Sequence, residues 1–396
     1  MKNKWEEVTL GELMTFKNGL NFTQDANGSE YNFLGVGCFK SKNVIKNDSE
    51  LETVHILNPI DKDYLLKKDD LVFVRSNGSK ELVGRCVLIE NDISNATYSG
   101  FCIKGVLKSE KTTSKYILKN IEAGFLKEKL KHENRGTNIS NLNQEILNSL
   151  EIKLPSLNEQ DKIIETLNVW DSAIEKTEKL IALEEKKLSA FAIKLFSGKS
   201  IFQTKNICLT NLLKEKSDLS TGLEEVFSVS VHKGLVNQIE HLGRSFAAAN
   251  TDNYNLVKYG YLVYTKSPTG DFPYGIVKQS SIKKDVIVSP LYGIYEPASN
   301  EIGLLVEFFF ESPIRCKNYL YPLIQKGAKN TISISNQDFL KGKINFPANE
   351  KDIIRIADYI RLSKEYISLL NNQLEQYKLQ KQGLMQKLLT GEWRVK

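Results

Sequence analysis

The chain is poor in the residues that mark secreted, membrane-bound or metal-dependent proteins. Its five cysteines, Cys38, Cys86, Cys102, Cys208 and Cys316, are scattered over 396 residues with no C-x-x-C pair, and its four histidines do not fall at ligand spacing from them. A reduced, metal-free protein is expected. No run of eighteen apolar residues occurs, and the opening MKNKWEEVTLGEL lacks a continuous apolar stretch. Neither membrane span nor signal peptide is therefore expected, and the chain is read as cytoplasmic. A phosphate-gripping G-x-x-x-x-G-K-[ST] loop is missing. So is the N/D-P-P-Y/F motif, with its cofactor loop, that a methyltransferase uses on a flipped base; Asn58-Pro59-Ile60 comes nearest and lacks the second proline and the aromatic. The net charge of +6 carries no basic tail or block, so it permits a polyanionic partner without demanding one.

What the chain does have is a long helical seam, and it has it twice. Between Pro155 and Gly198 no proline or glycine intervenes, and Leu167, Trp170, Ile174, Ile181, Leu188, Phe191 and Leu195 recur at the spacing of one helix face. At 1.5 Å per residue such a helix is roughly 60 Å long. Near the C-terminus Ile360, Ile367, Leu370, Leu374, Leu384 and Leu388 form a second stripe, and the closing LFSG of Leu195 to Gly198 returns as LLTG at Leu388 to Gly391. An offset of 193 carries Leu167 to Ile360, Ile174 to Ile367, Ile181 to Leu374 and Leu195 to Leu388. The chain reads as a tandem duplication.

The segments between repeat as well. In the first, YNFLGVGCF (31–39), DLVFVRSNGS (70–79) and GRCVLIE (84–90) are β-rich runs parted by turn residues, and Ser114 to Glu133 is helical by pattern. In the second, LVYTKS (262–267) answers LVFVRS (71–76) and Gly275 answers Gly84, both at an offset of 191. FSVSVHKGLV from Phe227 stands opposite LGVGCFKSKN from Leu34, and TISISNQDFL from Thr331 opposite NISNLNQEIL from Asn138. The expected fold is α+β: mixed domains at 1–153 and 200–346, and helical spacers at 154–199 and 347–396. If the helices pack antiparallel, each seam covers the other and the molecule has pseudo-twofold symmetry. A duplicated reader of that kind suits a duplex, whose half-sites must be met at a fixed separation.

With WEEVTLGEL (5–13), the loop-strand DLVFVRSNGS with Gly84, the TNIS and TISIS segments, and LPSLNEQ and FPANEKD opening helices that close in SG and TG, the chain resembles the specificity subunit of type I restriction-modification enzymes over its whole length. The second helix departs from the pattern in lacking the glutamine of LPSLNEQ and in containing Gly383. The resemblance implies a non-catalytic subunit whose two target-recognition domains each read half of a split, asymmetric sequence in double-stranded DNA. It also implies that the helices space the domains and dock two methyltransferase subunits, with restriction subunits in the full complex. S-adenosylmethionine, Mg and ATP would then sit on those partners and none on this chain.

Candidate DNA contacts are the cationic and polar side chains of the repeated loops, since these types reach phosphates and base edges. They are Arg75, Ser76, Asn77, Ser79, Lys80 and Arg85 around the first loop, and Lys266, Ser267 and Thr269 around its counterpart. Arg135, Thr137 and Asn138, with Lys329, Asn330 and Thr331, form a second pair of loops leading toward the helices. The bland alternative is a solvated hairpin tip for the first pair of loops and a helix lead-in without ligand for the second. Glu151-Ile152-Lys153 has the E-x-K spacing of a metal-dependent nuclease, yet the corresponding Lys343 and Asn345 do not keep it, and we assign no catalytic residue and no metal ligand. Two further readings are a coiled-coil scaffold without DNA contact, and a self-sufficient DNA-modifying enzyme. Turnover by the purified chain would mark the enzyme, and an assembled complex without salt-sensitive DNA binding would mark the scaffold.

Overall fold

The computed structural model describes residues 5–40, 43–79, 81–133, 141–198, 200–242, 251–326 and 332–395. It divides into two compact units, residues 1–178 with 372–396 and residues 179–371, so each long helix contributes to both. The helices run Leu157–Phe196 and Glu350–Leu389, 40 residues each, and both their starts and their ends differ by the offset of 193 seen in the sequence. Their stop signals are duplicated too. Gly198 and Gly391 adopt φ of +72° and +76°, the left-handed geometry that ends a helix and that glycine enters without penalty. The start of the second helix is capped by Asn349, whose Oδ1 accepts from the Asp352 N–H at 2.9 Å.

In the first unit the two helices pack antiparallel. Arg394, just past the second helix, is paired with Glu159, the Asp171 carboxylate with Lys381, and Glu178 with Lys378 at 3.1 Å. Trp170 meets Tyr377 edge to face with centroids 5.8 Å apart, so it is a packing residue. The second unit repeats the arrangement with Phe191 against Tyr359 at 4.7 Å and a core of Leu188, Ala192, Leu195, Ile356, Ala357 and Ile360. Of the expected seam, Leu167, Ile181, Leu188, Leu195, Ile360, Leu370, Leu374 and Leu388 are buried. Trp170, Ile174, Phe191, Ile367 and Leu384 are half-buried.

The glutamine missing from the second helix has a physical counterpart. Gln160 is fully buried: its Oε1 accepts from the Thr112 hydroxyl at 2.8 Å, and its Nε2 donates to the carbonyls of Lys111 and Pro155. At the equivalent position the second unit carries Ile353, packed against the apolar core. One half satisfies a polar junction and the other replaces it with apolar contact, either of which leaves no buried group unpaired.

Both units carry one sheet design. In the first, strands Met14–Asn18, Cys102–Leu107, Leu71–Val74 and Cys86–Ile89 lie in that order, antiparallel, with Val44–Ile45 added in parallel at the edge. In the second, Leu213–Lys216, Gly293–Pro297, Leu262–Tyr264 and Val277–Gln279 lie in the same order. A two-stranded ribbon joins the ends of each domain: Glu6–Thr9 with Glu151–Leu154, and Thr204–Cys208 with Lys343–Pro347. Glu151 and Lys153 thus stand in a ribbon, paired with Thr9 and Glu7.

Two local expectations are corrected. Residues 114–133 form two helices, Ser114–Glu122 and Phe125–Glu133, because Gly124 at φ +97° breaks the ladder between them. The second unit makes the same break differently, between Asn300–Phe310 and Pro313–Leu320, with Ser312 as cap and Pro313 in the first turn. The run 31–39 is strand only to Leu34; residues Val36–Lys40 turn as a 3₁₀ helix, the Cys38 N–H donating to Gly35. Its counterpart in the second unit is a hairpin, Phe227–Ser230 with Gly234–Asn237, so here the halves diverge.

Each domain is tied to a long helix by ions. In the first unit the buried Lys119 bridges Glu122 at 3.2 Å and Asp171 at 2.7 Å, and Lys381 joins the same two carboxylates. The offset of 193 carries Asp171 to Lys364, and in the second unit Lys364 pairs with Glu311 at 2.5 Å. Position is kept and polarity is reversed.

Candidate nucleic-acid interface

The loop after Leu71–Val74 is closed at its base by two backbone bonds, Val74 N–H to the Arg85 carbonyl at 2.9 Å and Gly84 N–H to the Val74 carbonyl at 3.0 Å. Gly84 holds φ +80°, which sharpens the return of the chain. Arg75 leaves the strand with its backbone fixed on both sides: its N–H donates to Phe101 at 2.8 Å and its carbonyl accepts from Leu142 at 2.9 Å. Its guanidinium is exposed and meets no hydrogen-bond or ion-pair partner among the described residues. A cation on an immobile backbone and a free stem suits an anionic or base-edge ligand.

The other nominated residues of this loop differ in what they do. Asn77 is exposed and its Oδ1 accepts from the Ser79 N–H at 3.1 Å, an Asx turn that shapes the tip. Ser76 is half-buried and Ser79 exposed. Arg85 is engaged within the chain, its Nη1 donating to the carbonyls of Phe39 at 2.7 Å and Lys40 at 2.9 Å, which anchors the 3₁₀ turn to the sheet. Lys80 lies outside the described residues, as do Arg135, Thr137 and Asn138 and, in the second half, Lys329, Asn330 and Thr331. The bond from Leu142 to Arg75 nevertheless brings the end of the second loop onto the first.

In the second unit Gly275, at φ +93°, passes so close to the facing strand end that a Cβ there would lie 2.6 Å from the Lys266 nitrogen. Lys266 itself sits at φ +61°, a conformation uncommon for a side-chain-bearing residue. It is half-buried, and burial lowers its amine below the ordinary lysine value while Glu215 opposes that shift. The Asn336 amide donates to the Glu215 carboxylate at 2.8 Å. Ser267 is exposed, and Thr269 closes a tight turn with Phe272 through reciprocal backbone bonds of 2.9 and 3.0 Å. The two loops are therefore equivalent in position and unlike in chemistry, one with a solvated arginine and the other with a half-buried lysine.

A feature the sequence reading missed lies beside each loop. The Cys102 N–H donates to the Ser99 carbonyl at 2.9 Å and the Phe101 N–H to the Ser99 hydroxyl at 3.2 Å. The Tyr292 N–H donates likewise to Ser289 at 3.1 Å, and the Leu291 N–H to the Ser289 hydroxyl at 3.3 Å. One serine-started turn occurs in both halves, and each presents a large apolar residue to solvent: Phe101 is 55% and Leu291 71% exposed. The shared serines, 190 residues apart, are the only trace of it in the sequence.

Among the described residues no group of three histidine, cysteine, aspartate or glutamate side chains gathers as a metal site, and no helix is long and apolar enough to cross a membrane.

Comparison with known proteins places this architecture. Residues 2–185 match the family model described as the type I restriction modification DNA specificity domain. The chain is 31% identical to the type I restriction enzyme StySPI specificity subunit of Salmonella potsdam over 183 residues, which is 43% of this chain and 38% of that one. It is 23% identical to the MjaVIII specificity subunit of Methanocaldococcus jannaschii over 99% of this chain and 93% of that one. Among solved structures, the S subunit of a type I restriction-modification system from M. genitalium superposes with a TM-score of 0.55 at 16% identity, covering 98% of this chain and 97% of that one, a likeness of fold. The first half of the chain thus matches the type I restriction modification DNA specificity domain, and the whole chain shares its fold with a solved S subunit.

Proposed function

We propose that this protein is the non-catalytic, DNA-reading subunit of a type I restriction-modification complex, each half recognising one part of a bipartite, asymmetric sequence in double-stranded DNA. The observation that carries the reading is the repeated four-strand order with a cation-bearing loop at the same strand end, Arg75 in one half and Lys266 in the other. A duplicated scaffold that keeps its frame and varies its loop chemistry suits a split site whose halves differ. The long helices set the spacing between the two readers and dock the partner subunits. Supporting a pair of identical partners, Val169 and Leu362 stand 193 residues apart on the two helices and are 69% and 64% exposed. S-adenosylmethionine, Mg and ATP belong to methyltransferase and restriction partners.

The test is a domain exchange. Replacing residues 1–150 with those of a relative, assembling the chimera with methyltransferase subunits and mapping the methylated sequence should change one half-site and leave the other intact. Loss of both specificities in a folded chimera would refute independent readers.

A further inference from the structure

We infer that Phe101 and Leu291 are the apolar DNA-contact residues of the two halves, each reading the duplex through a base and not through a phosphate. This rests on the DNA-reading function proposed above and names residues for it.

Phe101 belongs to no core cluster, yet its backbone is more tightly held than that of an ordinary surface loop. Its N–H is engaged by the Ser99 hydroxyl, and its carbonyl accepts from both Arg75 at 2.8 Å and Ser76 at 3.4 Å. Gly100 beside it is packed against Asn21, whose Oδ1 would lie 2.3 Å from an added Cβ and would have to move aside. A large exposed aromatic ring is unfavourable in water, and fixing its backbone removes the freedom that would let it fold away. The ring is therefore displayed, on a backbone hydrogen-bonded to that of Arg75, whose guanidinium is exposed. In the second half the same turn displays Leu291, and the Asn255 amide spans the turn, donating to the Tyr292 carbonyl at 3.0 Å. The halves share no such care for their charges, because Arg75 is solvated and Lys266 half-buried. An apolar tip built twice by the same bonds, beside a cationic loop in each half, matches the pairing of phosphate-gripping cations with apolar contacts to a thymine methyl or a base face.

The experiment uses the full chain assembled with its methyltransferase subunits and duplexes carrying the mapped site. Phe101→Ala should weaken cognate binding about tenfold. The slope of log K against log salt should stay unchanged, because no counterion is released at an apolar contact, whereas Arg75→Ala should reduce that slope by about 0.9 if Arg75 grips phosphate. Leu291→Ala should act on the other half-site alone. Replacing each thymine in turn by uracil identifies a methyl contact; 2-aminopurine fluorescence that rises with the wild-type complex and not with Phe101→Ala identifies a base-face contact. Urea unfolding of both variants serves as the folding control and should be unchanged, since the side chains are exposed. Wild-type binding with normal salt dependence, together with unaltered affinity and sequence preference in both alanine variants, would overturn the inference and leave the DNA-reading function standing. Absence of salt-sensitive binding by the wild-type complex would instead remove that function itself.

Discussion

Removing the Asp171 carboxylate should loosen the first unit and leave the second intact. Asp171→Asn keeps the shape of the side chain and takes away the anion that faces Lys119 at 2.7 Å and Lys381, leaving Glu122 as their remaining carboxylate. Breaking a fully buried pair costs about 3 to 5 kcal/mol, and an exposed pair about 0 to 1. Lys119 and Lys381 are 8% and 15% exposed, but Asp171 is 39% exposed, so solvent screens part of the interaction and about 2 kcal/mol is expected. With a urea slope of about 2 kcal/mol per molar, the midpoint should fall by about 1 M. The assay is built into the chain, because Trp5, Trp170 and Trp393 all belong to the first unit and their fluorescence reports it alone. Lys364→Met, which removes the equivalent tie in the second unit, should shift the circular dichroism transition and spare the tryptophan one. Acid adds a second readout. Burial alone would raise the Asp171 carboxyl, yet the charge and hydrogen bond of Lys119, with Lys381, outweigh it and hold the group below its ordinary 3.8. Its contribution is thus complete at neutral pH and is lost as pH falls below about 4 through the lowered folded-state value. The asparagine variant should show a shallower acid dependence. An unmoved tryptophan midpoint in Asp171→Asn, or an equal shift of that midpoint in Lys364→Met, would refute the reasoning.

Three other outcomes are expected. Arg75→Ala should cost about 1 to 3 kcal/mol of cognate affinity and relax one position of the site if the guanidinium reads a base, or weaken binding to all sequences alike if it grips phosphate; methylome mapping with a salt titration separates the two. Val169→Glu and Leu362→Glu should each abolish docking of one methyltransferase subunit, seen as a drop from two bound copies to one by light scattering, with the fold unaltered because both side chains are exposed. Gly275→Ala should destabilise more than Gly84→Ala in thermal unfolding. Both incur the left-handed penalty of about 1 to 2 kcal/mol, but at Gly275 the new methyl meets backbone at 2.6 Å, and at Gly84 it meets the end of the Leu130 side chain at 3.0 Å.

The long helices were readable from sequence because their signals are local and doubled: an apolar stripe and a closing glycine, each repeated 193 residues later. Shorter elements were less so. The run 114–133 keeps helical spacing on either side of Gly124, and nothing in the spacing reveals that Gly124 turns to positive φ. Loop chemistry was the least accessible. Arg75 and Arg85 look alike in the sequence, and only the carbonyls of Phe39 and Lys40, more than forty residues upstream, distinguish the engaged arginine from the exposed one. Phe101 is invisible to a search for cations, since its display depends on a turn whose serine bonds two residues ahead.

The reversed ion pairs bear on how a duplicated chain keeps its halves apart while it folds. The two halves share strand order, helix length and stop signals, so the backbone design offers each domain two similar helical platforms. Were the first domain to seat on the wrong platform, Lys119 would face Lys364 with Glu122 as the one carboxylate between them, and the second domain would set Glu311 against Asp171 with Lys381 between them, so each exchange replaces a matched pair with a contested one. Seated correctly, each lysine meets a carboxylate. Polarity at one helix position therefore labels each platform for its own domain: an aspartate receives a lysine in the first unit, and a lysine receives a glutamate in the second.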